Sequence, residues 1–395
     1  MKTLFWLRTD LRTFDHEALS DCLSRAASRI ANAADVVFVF AETPSLKRAG
    51  PIRRKFVQEA FASLESKLTR EGFTVLQTPL RFTEYLQREL AQSPHGVFSS
   101  LTYTRECAWE ERQEEKHVDA LCAKHGISVH AFGPSTLIRE EDLPFTLDQM
   151  PFVFTDFRKR IEAQLRVAPP VASPLSNEET PALARLHHYL WGSHAIQTYK
   201  ATRNGMIRLD DSSKFSPWLS IGALSARTIY AELKKYEAEV CANESTYWLF
   251  FELLWRDYMK FFSLKFGAQI FRPEGVRPGS SPNQDNPEAF EAWCNGRTSD
   301  EFINANMNEL NSTGWMSNRG RQNVASYLIH DLGINWTWGA SYFEQQLLDY
   351  DPDLNWGNWL YLSGRGSDPR ARKFNTDHQA QTYDPHGEYR KLWRP

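Results

Sequence analysis

The sequence predicts an α/β N-terminal domain on a doubly wound, Rossmann-like parallel sheet (residues 1–132), a long linker (133–195) and an all-α domain (196–395). Three observations carry this division. Short apolar runs alternate with helical patterns through the first part, the grammar of βαβ units. Seven prolines, Pro134, Pro144, Pro151, Pro169, Pro170, Pro174 and Pro181, mark a connector laid over a surface. Beyond it, apolar residues recur at helical spacing and strand-like alternation does not return.

The candidate strands are Thr3–Leu7, Val36–Phe40, Thr74–Gln77, Val97–Ser99 and Ser128–Phe132. Between the second and third, RRKFVQEAFASLESKLTREG sets Phe56, Ala60, Leu64 and Leu68 four residues apart before Gly72, which reads as a crossover helix with a glycine stop. No G-x-G-x-x-G follows the first strand and no G-x-x-x-x-G-K-[ST] occurs, so this half lacks the usual nucleotide-binding motifs. In the second half, YWLFFELLWRDYMKFFSLKFG places Trp248, Phe251, Trp255, Tyr258 and Phe262 on one helical face.

Composition narrows the class. Of 395 residues, 42% are hydrophobic and 24% charged, with a net charge of −3, which excludes a disordered chain. No apolar run reaches the ~20 residues of a membrane span. The opening MKTLFWLRTDLR puts Arg and Asp where a signal peptide needs its apolar stretch, so a cytoplasmic protein without a membrane partner is expected. The five cysteines are odd in number and scattered, with no C-x-x-C, which argues against a disulfide framework or thiolate metal site. Thirteen tryptophans are unusual, and eleven of them lie from Trp191 onward. Abundance alone reads as core.

Three stretches of the helical half are too polar for their neighbours. Glu252 and Arg256, four apart beside Trp255, fit a surface ion pair or a partnered buried one. NELNSTGWMSNRGRQNVASYL sets Asn318, Arg319, Arg321, Gln322 and Asn323 between Trp315 and Tyr327. LLDYDPDLNWGNWLY packs Asp349, Asp351, Asp353, Asn355 and Asn358 against Trp356, Trp359 and Tyr361. The last lacks the glycine and the closing glutamate of a calcium loop, and no metal is expected.

With YKATRNGMIRLDDSSKFSPWLSIGALSAR and FELLWRDYMKFF, these stretches resemble, in order and spacing, the FAD-binding helical domain of the photolyase/cryptochrome flavoproteins. FWLRTDLRTFDHEAL is similar to that family's first strand and turn, and the resemblance runs nearly to Pro395. MSNRGRQN, NWGNWLY and YDPHGEYRKLW are most similar to the DASH branch, whose members repair cyclobutane pyrimidine dimers in single strands.

The resemblance implies FAD folded in a U within the helical domain. Tyr199, Ser212, Ser213, Lys214, Phe215 and Ser216 match the segment that holds the diphosphate, and Asn318, Arg321, Asp349, Asp351 and Asn355 match positions around the flavin ring, with Asn355 at N5 and Arg321 paired to Asp349. Glu252 and Arg256 belong to the same cofactor set. For substrate, Glu252 would bond the flipped bases, Asn318 a thymine carbonyl, and Trp255 would wall the pocket. Gln322 and Tyr361 replace the Met and Trp of duplex-repairing relatives, which favours single-stranded DNA because flipping a base from a duplex costs a few kcal/mol. Arg319, Arg256, Lys260 and Arg365 are candidate phosphate contacts.

Trp359 and Trp336 match the two inner members of the family's electron relay. The outer position falls at Asn283, with Trp338 and Tyr258 as substitutes, and most of the other tryptophans, Trp218, Trp293 and Trp315 among them, read as core. An antenna chromophore, 5,10-methenyltetrahydrofolate, is allowed, with Glu106 and Glu110 in the segment that would meet it; a solvated acidic helix accounts for them equally well. The activity implied is a deoxyribodipyrimidine photo-lyase acting as a monomer. The alternative is a blue-light receptor that signals through a partner without repair, which a long C-terminal tail would favour; the chain stops soon after KLW.

Overall fold

A five-stranded, wholly parallel sheet in the order β3-β2-β1-β4-β5 forms the first domain, with β1 Lys2–Leu7, β2 Val36–Ala41, β3 Thr74–Thr78, β4 Phe98–Thr104 and β5 Ser128–Phe132. The structure, a computed structural model, describes residues 2–28, 35–92, 97–176, 178–277, 284–368 and 372–394. Alternate side chains of the central strands feed opposite layers. Leu4, Trp6, Val37 and Val39 pack with Phe82, Leu86 and Val118, while Phe5, Leu7, Phe38 and Phe40 pack with Phe61, Leu64 and Leu68 of the Pro51–Arg70 helix. Burial on both faces makes the strands read as unbroken apolar runs.

β4 departs most from the sequence reading, starting one residue later and running to Thr104. Its hydroxyl residues broke the apolar pattern. Ser100 and Thr102 are buried inside the sheet, and Ser100 Oγ meets Thr3 Oγ1 at 3.1 Å.

The proline-rich connector hides a helix, Phe154–Ala163, whose Phe154, Phe157 and Ile161 form one buried stripe. Phe157 meets Tyr258 of the central helix, Glu244–Phe266, edge-on at 5.4 Å. That helix begins where Asn243 Oδ1 accepts from the amides of Ser245 and Thr246, satisfying two donors left free at a helix start. Midway along it, buried Asp257 accepts from the amides of Leu137 and Ile138 at 3.0 and 2.8 Å, tying the connector down. Burial pushes its carboxyl up to about 6, against the pull of Arg256.

Charged contacts seat the two domains together. Arg227 reaches Asp15 at 2.6 Å, and Arg12 donates to the Gly222 carbonyl at 2.9 Å. Gly222, at φ +67°, lies so close to the first domain that a Cβ would stand 1.9 Å from the Thr9 carbonyl oxygen. Strand order reverses between β1 and β4, the switch point where open α/β sheets leave a crevice at their carboxyl ends. Arg8, Thr9 and Glu106, just beyond those strand ends, line a cleft against the helical domain.

Candidate cofactor and substrate site

Three capped helices frame the polar stretches of the second domain. Asn318–Ser326 starts from Ser317, whose Oγ accepts from the Gly320 amide at 3.0 Å. Trp336–Gln346 starts from Asn335, which accepts from the Thr337 amide, and Pro352–Leu362 from Asp351, which accepts from the amides of Asp353 and Leu354. The last two cross where Trp359 lies on Gly339, so closely that a Cβ there would be 2.2 Å from the indole.

At the junction of these helices Arg321 Nη2 donates to Asp349 Oδ2 at 2.9 Å. Asp349 Oδ1 is buried without a partner, and a buried orphan acceptor is costly unless a ligand donor meets it. Arg321 also lies over the Trp315 ring at 5.2 Å, and Lys214 Nζ at 4.6 Å, so this indole is flanked by two cations rather than sunk in core. Lys214 holds φ +55°, in the left-handed region. The loop that imposes it is clamped by Arg185, which donates to the carbonyls of Ser213 and Ser212 at 2.9 and 3.1 Å and to Asp210 at 2.6 Å. Phe215 and Tyr199 are buried beside it, and Ser216 opens the next short helix. Burial pushes the Tyr199 phenol up. Asn355 donates from Nδ2 to the Ala340 carbonyl at 3.0 Å.

These residues fit FAD. A lysine and a hydroxyl-rich loop suit a diphosphate, and the unpartnered carboxylate oxygen beside an arginine suits a ring N–H on an electron-rich heterocycle.

A second group comprises the residues expected to meet the substrate. Glu252 is paired with Arg203, a residue the sequence reading did not single out although it lies one helical turn beyond Tyr199. Burial pushes the Glu252 carboxyl up and Arg203 draws it back. Both Arg203 and Lys200 lie over the Trp248 ring, at 5.3 and 5.1 Å. Asn318 is exposed on the first turn of its helix and Gln322 is half-buried one turn on. Arg319 stacks on Tyr383 at 4.8 Å and donates to Asn204 Oδ1 at 3.3 Å. Trp255 and Tyr361 meet edge-on at 5.4 Å, with Trp255 Nε1 donating to Asn358 Oδ1. Arg372 covers Tyr361 at 4.7 Å and pairs with Asp368 at 2.5 Å. Tyr383 opens the YDPHGEYRKLW motif, but its contact with Arg319 joins distant segments, and Arg372 lies in no motif.

Several expectations are corrected. Arg256 and Lys260 are buried and do not face DNA phosphates: Arg256 donates to the Ser135 carbonyl at 2.8 Å, and Lys260 lies 3.0 Å from both Asp351 and Asp353. Arg256 and Asp351, expected around FAD, line the interdomain cleft. Burial raises Asp353 to about 6, while Asp351 is held low by Lys260 against its own burial. Glu106 lines the same cleft, bonded to the Thr9 hydroxyl, whereas Glu110 lies outside in an exposed pair with Arg48 at 2.7 Å. Glu111, unremarked in the sequence, is buried in the cleft and its carboxyl is pushed up to about 8.

Of the relay residues, Trp359 is buried against Phe343 and Trp293, and Trp336 has Trp356 as its ring partner at 5.8 Å. Asn283 lies outside the described residues. Trp338 packs on Phe290, and Tyr258 is fully buried, donating to the Phe152 carbonyl.

Two family descriptions match the chain: "DNA photolyase" over residues 3–176 and "FAD binding domain of DNA photolyase" over residues 248–395. It is 40% identical to Cryptochrome DASH of Danio rerio over 435 residues, which is 98% of this chain and 82% of that protein. Cryptochrome DASH of a Synechocystis species is likewise 40% identical, over 99% of this chain and 87% of its own. The crystal structure of a Synechocystis cryptochrome superposes with a TM-score of 0.89 at 38% identity, covering 99% of this chain and 88% of that one. Among the described residues, no helix is long and apolar enough to cross a membrane.

Proposed function

Because the chain belongs to the DNA photolyase/cryptochrome family, with DASH cryptochromes as relatives along nearly its whole length, we propose that it is a light-driven lyase for cyclobutane pyrimidine dimers, preferring single-stranded DNA. The observation that carries this is the Arg321–Asp349 pair, whose second carboxylate oxygen is buried and unpaired, in a helical domain that also carries exposed Asn318 on the helix of Arg321. When bound and reduced, FAD would on absorbing blue or near-UV light lend an electron to the dimer and take it back once the ring has split.

The chain's own residues do the rest. Lys214 and the Ser212–Ser216 loop would hold the diphosphate, and Arg321 would supply positive charge to a ring that is anionic when reduced. Asn355 would present a carboxamide, which cannot ionise, to the ring edge. Trp255 and Tyr361 give the flipped thymines an apolar wall that excludes water, and Glu252 and Asn318 offer hydrogen bonds to their polar edges. A rim built with Gln322 and Tyr361 supplies few contacts to offset extrusion from a duplex, so an already unpaired lesion is favoured. Arg319 and Arg372 take the place of Arg256 and Lys260 as phosphate contacts. An antenna chromophore would occupy the interdomain cleft beside Glu106. Trp359, one turn beyond Asn355, would pass electrons to oxidised flavin, with Trp336 as a further donor. Illuminating the flavin-reduced protein with dimer-containing oligothymidine tests the reading: restored thymines are expected. A dimer left intact would turn the assignment to the blue-light receptor.

A further inference from the structure

Trp359 has two aromatic neighbours among the described residues, Phe343 at 5.1 Å and Trp293 at 6.2 Å, both edge-on. Phenylalanine is a poor electron donor and indole a good one, so Trp293 is the redox-competent neighbour. Trp293 is fully buried, with its N–H fixed on the Val324 carbonyl at 3.1 Å. From it two aromatic paths lead outward. One passes through Phe290, at 5.9 Å, before reaching Trp338, and is interrupted by that phenyl ring. The other reaches Tyr342 directly at 5.8 Å. Tyr342 is half-buried, and its hydroxyl donates to Asn311 Oδ1 at 2.6 Å and lies 3.1 Å from the Cys294 carbonyl.

We propose that Tyr342 is the outer donor of an electron relay running Tyr342 to Trp293 to Trp359, separate from the Trp336 branch. This rests on the reading above that flavin lies beside Asn355 and Trp359. Trp359 gives one electron to excited, oxidised flavin, and Trp293 refills it. Tyr342 refills Trp293 and becomes a neutral phenoxyl radical, its hydroxyl proton leaving past Asn311 Oδ1, the acceptor it already meets, to solvent water. A small thiol in solution returns one electron and one proton to Tyr342. A phenol that has lost its proton does not take the electron back from flavin as readily as an indole radical cation, so the charge separation lasts. Trp336 instead continues through Trp356, whose N–H meets the Tyr350 hydroxyl at 3.2 Å, toward the interdomain cleft.

The test uses the full FAD-loaded chain and the variants Trp359→Phe, Trp293→Phe, Tyr342→Phe and Trp336→Phe, with flavin content as the control for folding. Two quantities are read: the rate of flavin photoreduction with a thiol present, and the tyrosyl-radical EPR signal trapped after illumination. Tyr342→Phe keeps the ring and removes only the hydroxyl; it is expected to abolish the EPR signal and slow photoreduction several-fold. Trp293→Phe should do both, and Trp336→Phe should keep the signal. A tyrosyl signal that persists in Tyr342→Phe, or unchanged rates in both Tyr342→Phe and Trp293→Phe, overturns the proposal. Normal photoreduction in Trp359→Phe would instead overturn the placement of flavin against that indole, and the relay with it.

Discussion

Arg321 Nη2 lies 2.9 Å from Asp349 Oδ2, while the other Asp349 oxygen is buried and unpaired. Asp349→Ala removes the acceptor that a ring N–H would meet and leaves Arg321 without its carboxylate. Unmaking such a buried partner costs roughly 1–3 kcal/mol, about five- to 150-fold in FAD affinity. The expected outcome is protein that folds but loses flavin on gel filtration, with Asp349→Asn intermediate. Full flavin content in Asp349→Ala would remove this residue from the cofactor site.

Glu252→Ala should lower repair at least about tenfold, equivalent to ~1.4 kcal/mol of transition-state stabilisation, while flavin content stays unchanged. Loss of flavin would instead move Glu252 into the cofactor pocket. Arg203 holds the Glu252 carboxyl down against the upward push of burial. In Arg203→Ala, therefore, any inflection of the repair pH profile that belongs to Glu252 should shift to higher pH.

Gly339→Ala places a methyl where the Trp359 indole already stands, 2.2 Å from the would-be Cβ. Overpacking of this kind costs about 1–3 kcal/mol and forces the ring to move. A lower melting temperature and slowed photoreduction are expected together. Slowed photoreduction at unchanged stability would mean that the helix crossing yields more easily than its geometry implies.

Burial pushes the Glu111 carboxyl up from an ordinary 4.5 to about 8. The stabilising contribution of its proton is complete below about pH 4.5, where folded and unfolded chains both carry it, and is lost as pH rises through about 8, since the unfolded chain releases the proton sooner. Glu111→Gln should accordingly raise the melting temperature relative to the parent little near pH 5 and more near pH 8. An equal gain at both would show that the carboxyl is not strained by burial.

Lesion binding by phosphate contact should weaken with salt. Arg319→Ala and Arg372→Ala are each expected to reduce the salt slope of single-strand binding by about 0.7. A slope unchanged in both would place the backbone elsewhere on the surface.

The central strands β1 and β2 were legible because, largely buried on both faces, they read as apolar runs, and the long helix because its aromatic stripe keeps helical period from Trp248 to Phe262. Ser100 and Thr102, buried hydroxyls, blurred β4. Prolines on either side concealed the Phe154–Ala163 helix. In the site, family motifs brought Arg321, Asp349, Asn355 and Trp359 to notice, and the contact between Arg321 and Asp349 is realised. Arg256 and Lys260 misled because charge in sequence suggests surface, whereas both are partnered in the cleft between domains. Arg203 and Tyr383 lie inside motifs but gain their meaning from partners remote in sequence, Glu252 and Arg319, while Arg372 lies in a stretch without a motif. The tryptophans divide the same way: Trp315 serves two cations, and Trp293, which reads as core, touches Trp359.

The central claim is tested most directly by following dimer loss under blue light in paired oligonucleotides, one single-stranded and one duplex, with the flavin-reduced protein and dark controls. Light-dependent loss that is faster in the single strand is the expected result. No loss in either substrate, with reduced flavin still bound, would contradict it.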